Sequence, residues 1–211
     1  MTLTDKHILV TAGPTHEPID PVRVLANRSS GRQGFAIAAA AAQAGAQVTL
    51  IAGPVHLLTP TGVTRIDVET AAQMAEAVMT SLPADAAILV AAVADWRVEP
   101  STKKLKKSDG PPQLKFVRTR DILAELGRSP DRPRLLVGFA AETDSLLDYA
   151  VTKRAAKGAD WIVANDVSGD VMGGDRNRVH LVTNDGVEDW PEASKDAVAR
   201  TLVERIASAL S

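Results

Sequence analysis

The stretch of this chain with the clearest chemical use is residues 26–35, Ala-Asn-Arg-Ser-Ser-Gly-Arg-Gln-Gly-Phe, which runs into an alanine-rich segment. Small, flexible, hydrogen-bonding residues thus stand where a helix begins. The first turn of a helix has unpaired N–H groups and a partial positive charge, which favour a bound anion. Glycines let the backbone approach that anion, and serines add donors. The segment predicts a phosphate site formed by Ser29, Ser30, Gly31 and Gly34.

Two polar side chains, Arg23 and Asn27, lie in the long loop over residues 13–31 that precedes this helix. An arginine can pair with a phosphate or a carboxylate, and an asparagine amide can donate to a carbonyl oxygen. Taken alone, each of them is more often an ordinary surface residue. The G-x-G-x-x-G fingerprint of a dinucleotide-binding turn is missing from this loop.

Asp95 follows the small residues that end a buried strand at 86–92, where it is a candidate acceptor for sugar hydroxyls or a base amino group. A turn-capping aspartate is about equally common. Downstream, residues 103–107 read Lys-Lys-Leu-Lys-Lys between Pro- and Ser-rich flanks. Charge runs are mostly solvated, but ammonium groups on a mobile arm can also close over a triphosphate. With a phosphate loop nearby, the second interpretation is favoured.

Further candidates follow later predicted strands. Asp121 begins a short helix, Phe139 ends a strand among small residues, and Lys153 and Lys157 lie one helical turn apart. That lysine spacing is common on ordinary helices. The four histidines lack metal-ligand spacing, and no Ser-His-Asp order with a nucleophile elbow is present.

Alternating apolar runs and helical patterns must position these residues. Strands are predicted over 7–11, 47–52, 65–68, 86–92, 135–139 and 161–164, and helices over 34–44, 71–81, 121–126 and 146–157. The repetition predicts an α/β, Rossmann-like three-layer sandwich with a mainly parallel sheet, whose ligands bind beyond the carboxyl ends of the strands. A hairpin at 178–190 and a helix over 194–210 are predicted to end it. Residues 95–112 and 167–177 are predicted to be irregular, the latter a lid or a disordered loop.

Composition limits the remaining possibilities. At 211 residues the chain suits a single domain over 1–211, and the low aromatic content of 3% implies an aliphatic core. A net charge of −2 disfavours general nucleic-acid binding. The absence of cysteine excludes disulfides and thiolate chemistry. With no signal peptide or membrane-length apolar run, a cytoplasmic location is expected.

In order and spacing, these segments resemble phosphopantothenoylcysteine synthetases (phosphopantothenate–cysteine ligases) of the bacterial, CTP-dependent type. The resemblance spans nearly the whole chain. It is carried by 11–15 (Thr-Ala-Gly-Pro-Thr), 20–23 (Asp-Pro-Val-Arg), 27–31 (Asn-Arg-Ser-Ser-Gly), 91–95 (Ala-Ala-Val-Ala-Asp), 104–107 (Lys-Leu-Lys-Lys), 138–143 (Gly-Phe-Ala-Ala-Glu-Thr) and 164–167 (Ala-Asn-Asp-Val).

The resemblance implies a reaction of coenzyme A biosynthesis in two steps. The carboxylate of 4′-phosphopantothenate attacks the α-phosphate of CTP, giving an acyl-cytidylate and pyrophosphate, and the amine of L-cysteine then attacks the acyl carbon and releases CMP. It also implies Mg²⁺ dependence, with metal ligands left undetermined, and a homodimer. A fused or separate phosphopantothenoylcysteine decarboxylase is a possible partner, and FMN is not expected in this chain. Nucleic acids and membranes are not expected partners.

By position, the resemblance assigns the acyl group of the intermediate to Asn27, with Arg23 on the same loop, and the triphosphate to Lys104, Lys153 and Lys157. Residues 29–34 would hold the phosphate of phosphopantothenate. The cytidine contacts would be Val90, Ala91, Asp95, Arg120, Asp121, Ile122, Leu123 and Phe139. Where relatives often have Asn-Pro-Asp-Ile, this chain has Thr-Arg-Asp-Ile at 119–122, so the contact at Arg120 is the least secure.

Two other functions remain open from the residues. One is an NAD(P)-dependent oxidoreductase, against which stand the missing fingerprint and the Ile-Ala-Gly-Pro sequence at 51–54, where an acidic residue would be needed. The other is a non-catalytic nucleotide sensor, because a fold alone does not establish a function.

Overall fold

The computed structural model describes residues 2–142, 146–166 and 176–211. Its described strands are β1 (His7–Ala12), β2 (His16–Pro18), β3 (Val24–Ala26), β4 (Gln47–Ala52), β5 (Val63–Asp67), β6 (Ala86–Leu89), β7 (Trp96–Val98), β8 (Phe116–Arg118), β9 (Leu135–Glu142), β10 (Trp161–Asp166), β11 (Arg176–Asn177), β12 (Val179–Val182), β13 (Val187–Asp189) and β14 (Ala193–Ser194). Its described α-helices are α1 (Arg32–Gln43), α2 (Ala71–Thr80), α3 (Ile122–Gly127), α4 (Leu146–Lys157) and α5 (Lys195–Leu210).

The central sheet has the strand order β13-β12-β10-β9-β6-β1-β4-β5. The six strands from β10 to β5 are parallel, and β12 and β13 join them in antiparallel fashion. The parallel part follows the doubly wound order, in which the chain reverses direction across the sheet between β1 and β6. Ligands of such sheets bind in the crevice at that reversal, beyond the carboxyl ends of the strands. The predicted fold class, with its C-terminal hairpin and helix, is confirmed.

Two apolar clusters lie on the two faces of the sheet. Ile8 and Val10 of β1 pack in the cluster that includes α1 and α5, whereas Leu9 between them packs with residues of α2, α3 and α4. This alternation follows from the two-residue period of a strand. Both clusters consist mostly of Ala, Val, Leu and Ile, as the low aromatic content predicts. The molecule is therefore a sheet between two helical layers.

Helix α1 is pressed against the end of β1. Gly31, which precedes the helix, has a φ of +73°, a left-handed conformation that favours glycine. Within the first turn, a Cβ on Gly34 would lie 2.5 Å from the Cβ of Ala12. Any larger residue at position 34 would push the helix away. The two glycines thus bring the N-terminus of α1 to the carboxyl edge of the sheet.

Two short ribbons were not predicted. Strands β2 and β3 pair within the loop over 13–31, and β7 pairs with β8, so the prediction that 95–112 is irregular is wrong for residues 96–98. Residues 107–109 also form a 3₁₀ turn. Three-residue strands contain too little alternation to stand out from a loop, and Pro18 obscures β2 further.

The predicted helices match α1 to α4 with ends within two residues, and the last helix begins at Lys195 with Ser194 as its N-cap. The strand predicted over 86–92 ends earlier, at Leu89, and the strand predicted over 135–139 continues to Glu142. Most of the irregular stretch predicted at 167–177, including its Gly-Gly pair, lies outside the described residues, as does the Thr at position 143. Within the part described, no helix combines the length and apolar character needed to cross a bilayer.

The loop after β1 turns across the neighbouring strand β4. The Pro14 carbonyl oxygen lies 1.7 Å from the point where a Cβ on Gly53 would stand. The backbone N–H of His16 then donates to the Glu69 carbonyl over 2.7 Å. On its other side, Pro14 makes a parallel bridge with Ala92. The loop therefore covers the carboxyl end of β4 and also contacts the segment that follows β6.

Candidate active site

Two adjoining cavities lie at the carboxyl edge of the sheet. The first has a volume of about 550 Å³ and the second about 420 Å³. They share the lining residues Ala91, Val93, Asp95, Phe139 and Lys153. Both cavities lie at the reversal between β1 and β6, where the doubly wound fold binds ligands. One ligand could therefore enter each cavity, with the reacting groups meeting beside the end of β6.

The predicted site residues divide between these cavities. Besides the shared residues, the first cavity is lined by Arg120, Asp121, Ile122, Leu123 and Lys157. The second is lined by Ser29, Ser30, Gly31, Gly34 and Val90. The predicted cytidine residues and the predicted phosphate residues thus form two neighbouring groups, although their roles stay predictions.

Asp121 is held in place at the start of α3. Its Oδ1 accepts the backbone N–H of Ala124 over 3.0 Å, which caps the helix, and its Oδ2 accepts a hydrogen bond from Lys157 Nζ. Burial raises the pKa of Asp121, but the hydrogen bonds from Lys157 and Ala124 and the charges of Lys157 and Lys153 bring that pKa below its ordinary value. The first cavity therefore contains an ionised carboxylate paired with a lysine.

The other three cations of this cavity also have protein partners, and the Arg118 guanidinium lies 5.5 Å from the centre of the Trp96 ring. Lys153 Nζ donates to the Phe139 carbonyl over 2.9 Å. The Arg120 guanidinium donates from Nε to both carboxylate oxygens of Glu125, at 3.1 and 3.0 Å. This pairing raises the pKa of Arg120 above its ordinary value. Arg120 stands where relatives often have proline, and its side chain is paired with Glu125 of α3.

The second cavity contains the N-terminus of α1. No side chain caps this helix, so its first-turn N–H groups lack the usual side-chain acceptor. The preceding turn is internally ordered, because Ser29 Oγ accepts the Gly31 N–H at 3.4 Å. Arg32, Lys153 and Lys195 bring positive charge to the cavity, and Asp95 is the one acidic residue among its described lining. These features suit an anionic ligand.

Asn27 connects the phosphate loop to the end of β6. Its Nδ2 donates to the Ala92 carbonyl over 2.6 Å, and its Oδ1 accepts the Ser29 N–H over 3.0 Å. The side chain therefore bridges the two backbones that border the second cavity. Asn27 itself is not one of the residues lining either cavity.

Arg23 and Lys104 lie outside both linings. The Arg23 side chain pairs with the buried Asp20, and Lys104 is exposed. The structure does not bring either one together with the other predicted site residues. Their catalytic roles stay predictions.

Sequence reasoning missed Asn177 and Lys195, which line the second cavity, and Trp96 and Arg118, which line the first. Asn177 Nδ2 donates to Gln33 Oε1 over 2.9 Å, and Gln33 Nε2 donates to the Lys195 carbonyl over 3.1 Å. Asn177 is buried, and its Oδ1, like Oδ1 of Asn165, has no hydrogen-bond partner among the described residues. Asn177 and Gln33 are separated by 144 residues, so no local pattern reveals their contact.

The described residues contain no group of three or more His, Cys, Asp or Glu side chains able to hold a metal ion. Outside the three undescribed stretches, the protein thus offers no resident metal site of that kind. A divalent cation would come with a ligand that carries its own oxygen donors, as nucleotides do.

Comparison with known proteins identifies close relatives. The chain is 47% identical over 214 residues to the coenzyme A biosynthesis bifunctional protein CoaBC of Bacillus subtilis strain 168, covering 98% of this chain and 52% of the relative. It is 44% identical over 207 residues to the CoaBC of Escherichia coli K12, covering 95% of this chain and 51% of the relative. The chain therefore spans about half the length of the curated relatives it matches.

A solved structure shows the same relationship as these two relatives. The crystal structure of the C-terminal domain of a coenzyme A biosynthesis bifunctional protein CoaBC has a TM-score of 0.84 and 41% identity, covering 98% of this chain and 96% of that one. In addition, the family model described as the DNA/pantothenate metabolism flavoprotein C-terminal domain matches residues 3–210. Fold and sequence agree, and the chain belongs to the family of DNA/pantothenate metabolism flavoprotein C-terminal domains.

Proposed function

We propose that this chain ligates 4′-phosphopantothenate and L-cysteine to 4′-phosphopantothenoylcysteine, with CTP as the activating nucleotide. The observation that carries the proposal is the pair of cavities that meet at the carboxyl end of β6. A nucleotide in one cavity and a phosphorylated acid in the other would bring an α-phosphate and a carboxylate together there. Membership of the family and the coenzyme A biosynthesis names of its relatives support the same reaction.

In the first step, a carboxylate oxygen of phosphopantothenate attacks the α-phosphorus of CTP. The new P–O bond gives an acyl-cytidylate, the bond to the bridging oxygen breaks, and pyrophosphate leaves. In the second step, the cysteine amine attacks the acyl carbon, the bond to CMP breaks, and the nitrogen loses a proton. The substrate carboxylate is the nucleophile, so the protein needs to supply only orientation and charge.

The phosphate of phosphopantothenate would bind at the start of α1, to Ser29, Ser30, Gly31 and Gly34. Asn27 would act on the acyl group at the neighbouring strand end. Its bridge between Ala92 and Ser29 supports this role, because the amide is held rigidly beside the place where both ligands would meet. Arg23, on the same loop, would be a further catalytic residue.

CTP would occupy the first cavity. The cytidine would contact Ala91, Asp95, Phe139 and residues 120–123 of that cavity, together with Val90 at the border of the second cavity. The triphosphate would meet Lys104, Lys153 and Lys157. Magnesium would enter as the partner of CTP, because phosphate oxygens supply most ligands in such sites. We treat MgCTP as the substrate and assign no metal ligand on the protein.

A homodimer belongs to the same proposal. Val22, Val24, Trp96 and Phe116, on or next to the two ribbons, are between 43% and 63% exposed. Apolar side chains of this size on adjoining short strands favour burial against another chain. The length of the relatives further suggests a decarboxylase as a fused or separate partner. A single domain over 1–211 and a cytoplasmic location stay predictions.

The direct test is to incubate the protein with 4′-phosphopantothenate, cysteine, Mg²⁺ and each nucleoside triphosphate in turn, and to measure pyrophosphate and the nucleoside monophosphate. Both products should form with CTP and depend on phosphopantothenate. Pyrophosphate release without cysteine would mark the acyl-cytidylate step. Binding of CTP without any turnover would instead identify a nucleotide sensor, and nicotinamide binding without any response to CTP would identify an oxidoreductase.

A further inference from the structure

Asp20, in the turn between β2 and β3, is a buried carboxylate that the proposed mechanism does not use. Its side chain has no exposed surface. Oδ1 accepts the backbone N–H groups of Val22 and Arg23, at 2.8 and 2.9 Å, and so closes the turn. Oδ2 accepts Arg23 Nε at 2.9 Å, a second hydrogen bond from Arg23 Nη2, and the backbone N–H of Leu105 at 3.1 Å.

These five donors saturate the carboxylate. A carboxylate has about four lone-pair positions, so Asp20 has none left for a hydrogen bond from a substrate. The hydrogen bond to Arg23 and those to the backbone outweigh burial and hold the pKa of Asp20 far below its ordinary value. Asp20 is therefore ionised at neutral pH, and any effect that it has on a reaction passes through the groups it contacts.

One of those groups lies 85 residues away. Leu105 is the middle residue of the basic segment, which we define as residues 103–107. Arg23 Nη2 also donates to the Leu105 carbonyl at 3.0 Å, so the backbone of Leu105 is bound at both its N–H and its C=O. Leu105 is half-buried, whereas Lys104 and Lys106 on either side are exposed. We call this set of hydrogen bonds between Leu105 and the side chains of Asp20 and Arg23 the clamp. By holding the backbone of Leu105, the clamp fixes the directions in which the neighbouring lysine side chains leave the backbone.

Turn closure alone does not explain this arrangement. The two bonds to Oδ1 suffice for a turn, and asparagine or serine makes such bonds at no cost in buried charge. A buried carboxylate is costly unless it is paired and hydrogen-bonded. All three bonds to Oδ2 go to Arg23 and the basic segment. The charge is therefore used to join those two parts of the chain.

We propose that Asp20 is a positioning residue for the ligation, which holds Arg23 and the basic segment with Lys104 as one unit. The inference rests on the proposed function, because the roles of Arg23 and Lys104 belong to it. A lysine on a free arm would have to be ordered in each catalytic cycle, whereas the clamp orders the backbone beside Lys104 in advance. Asp20 would thus act on the CTP-dependent step without touching a ligand.

Asp20→Asn separates the two uses of the side chain. The asparagine Oδ1 can keep the bonds that close the turn, but its Nδ2 then faces the donors of Arg23 and Leu105 and repels them. Asp67→Asn is the matched control, because Asp67 also pairs with an arginine, Arg65, but lies away from both cavities. Thermal unfolding would establish that both variants are folded.

The first measurement needs no substrate. Trypsin cleaves after lysine and should cut within 103–107 several-fold faster in Asp20→Asn than in the wild type or in Asp67→Asn. Equal cleavage rates would show that Asp20 does not hold residues 103–107 in place, whether or not the protein proves to be a ligase.

The second measurement is pyrophosphate release in the single variants Asp20→Asn and Lys104→Ala and in their combination. Asp20→Asn should lower kcat/KM for CTP by roughly tenfold to a hundredfold, since small misplacements cost this much. The KM for cysteine should stay unchanged. If Asp20 acts through the basic segment, the double variant should be little worse than Lys104→Ala.

The inference would be overturned if the loss of kcat/KM in the double variant equalled the product of the losses in the two single variants. Wild-type turnover in Asp20→Asn would overturn it as well. An inactive wild type would reject the proposed function and with it the positioning role, whereas the proteolysis result would still decide whether the clamp exists.

Discussion

At the scale of single residues, Asn27 is the side chain whose geometry and proposed chemistry agree best. Its amide nitrogen is committed to the Ala92 carbonyl, and its oxygen is committed to Ser29. Replacing the amide by a carboxylate would set a negative oxygen against the Ala92 carbonyl and, in the proposed reaction, near the acyl group of the intermediate.

Asn27→Asp should therefore leave pyrophosphate release detectable and slow product formation by roughly a hundredfold, a loss typical of removing one oriented donor. Rapid-quench separation of acyl-cytidylate, CMP and product would show the intermediate accumulating. Asn184→Asp, in the exposed C-terminal hairpin turn, is the control. Product formation at the wild-type rate in Asn27→Asp would refute the role of the amide.

Lys157 is the second residue whose removal has a defined consequence. Lys157→Met removes the cation that lowers the pKa of Asp121, so that pKa should rise and Asp121 should protonate at a higher pH than in the wild type. The carboxyl-carbon NMR signal of Asp121 would report this shift.

The affinity for CTP should also fall by about tenfold, in line with the loss of a charged hydrogen bond. Lys6→Met, which breaks a surface pair with Asp85 at 3.6 Å, should change neither quantity. Unchanged CTP binding in Lys157→Met would place the triphosphate elsewhere.

Residue types indicated part of the cavity linings, namely the serines and glycines at the start of α1, Asp95, Asp121, Phe139 and the two lysines of α4. The partners were not predictable. Nothing near Asp20 in sequence indicates Leu105, and nothing near Gln33 indicates Asn177, since these contacts depend on the tertiary fold. Arg23 illustrates the result: its type suggested a ligand anion, and the structure gives it the carboxylate of Asp20 instead.

At the scale of elements, the approach of α1 to β1 decides whether the second cavity exists. Gly34→Ala would place a methyl group 2.5 Å from the Cβ of Ala12 and 3.1 Å from the Thr11 carbonyl oxygen. The helix must shift to relieve these contacts. Overpacking of this kind costs about 1–3 kcal/mol in the free energy of unfolding, which urea denaturation would measure.

The chain offers its own compensating change. Ala12→Gly removes the nearest contact, so the double variant Ala12→Gly/Gly34→Ala should recover part of the stability lost in Gly34→Ala. If the losses in the free energy of unfolding of the two single variants simply add in the double variant, the two positions do not interact. Phosphopantothenate binding should follow the position of the helix and weaken in Gly34→Ala.

Long periodic elements were predictable and short ones were not. Helices of ten or more residues repeat their apolar pattern several times, and α1, α2 and α4 were found within two residues of their true ends. The β2–β3 and β7–β8 ribbons have three residues a strand, and tertiary packing defines them instead. The clamp at Asp20 shows why this matters, because it lies at the end of one such ribbon.

At the scale of the whole molecule, two carboxylates with lowered pKa values make stability depend on acid. Asp20 and Asp121 both bind protons less readily in the folded state than in the unfolded chain, whose carboxyl groups titrate near about pH 4. Their stabilising contribution is complete above that pH and is lost as the pH falls towards their folded-state values.

These two groups should therefore not change the melting temperature near neutral pH. At pH values below about 4, the melting temperature should fall. Asp20→Asn should melt lower at neutral pH and show a shallower fall on acidification. Asp67→Asn, whose side chain is 70% exposed, should follow the wild type. An acid limb of unchanged slope in Asp20→Asn would show that this carboxylate is not responsible.

The mainly parallel sheet was predictable from the alternation of apolar runs and helices, whereas the direction of the loop after β1 was not. That loop rests on Gly53, whose missing side chain leaves room for the Pro14 carbonyl oxygen. In a dinucleotide-binding enzyme, the same corner binds the adenosine ribose of the cofactor. Adding the glycine fingerprint to this scaffold would thus not create a dinucleotide site by itself, because the loop carrying Pro14 already fills the corner that the cofactor would need.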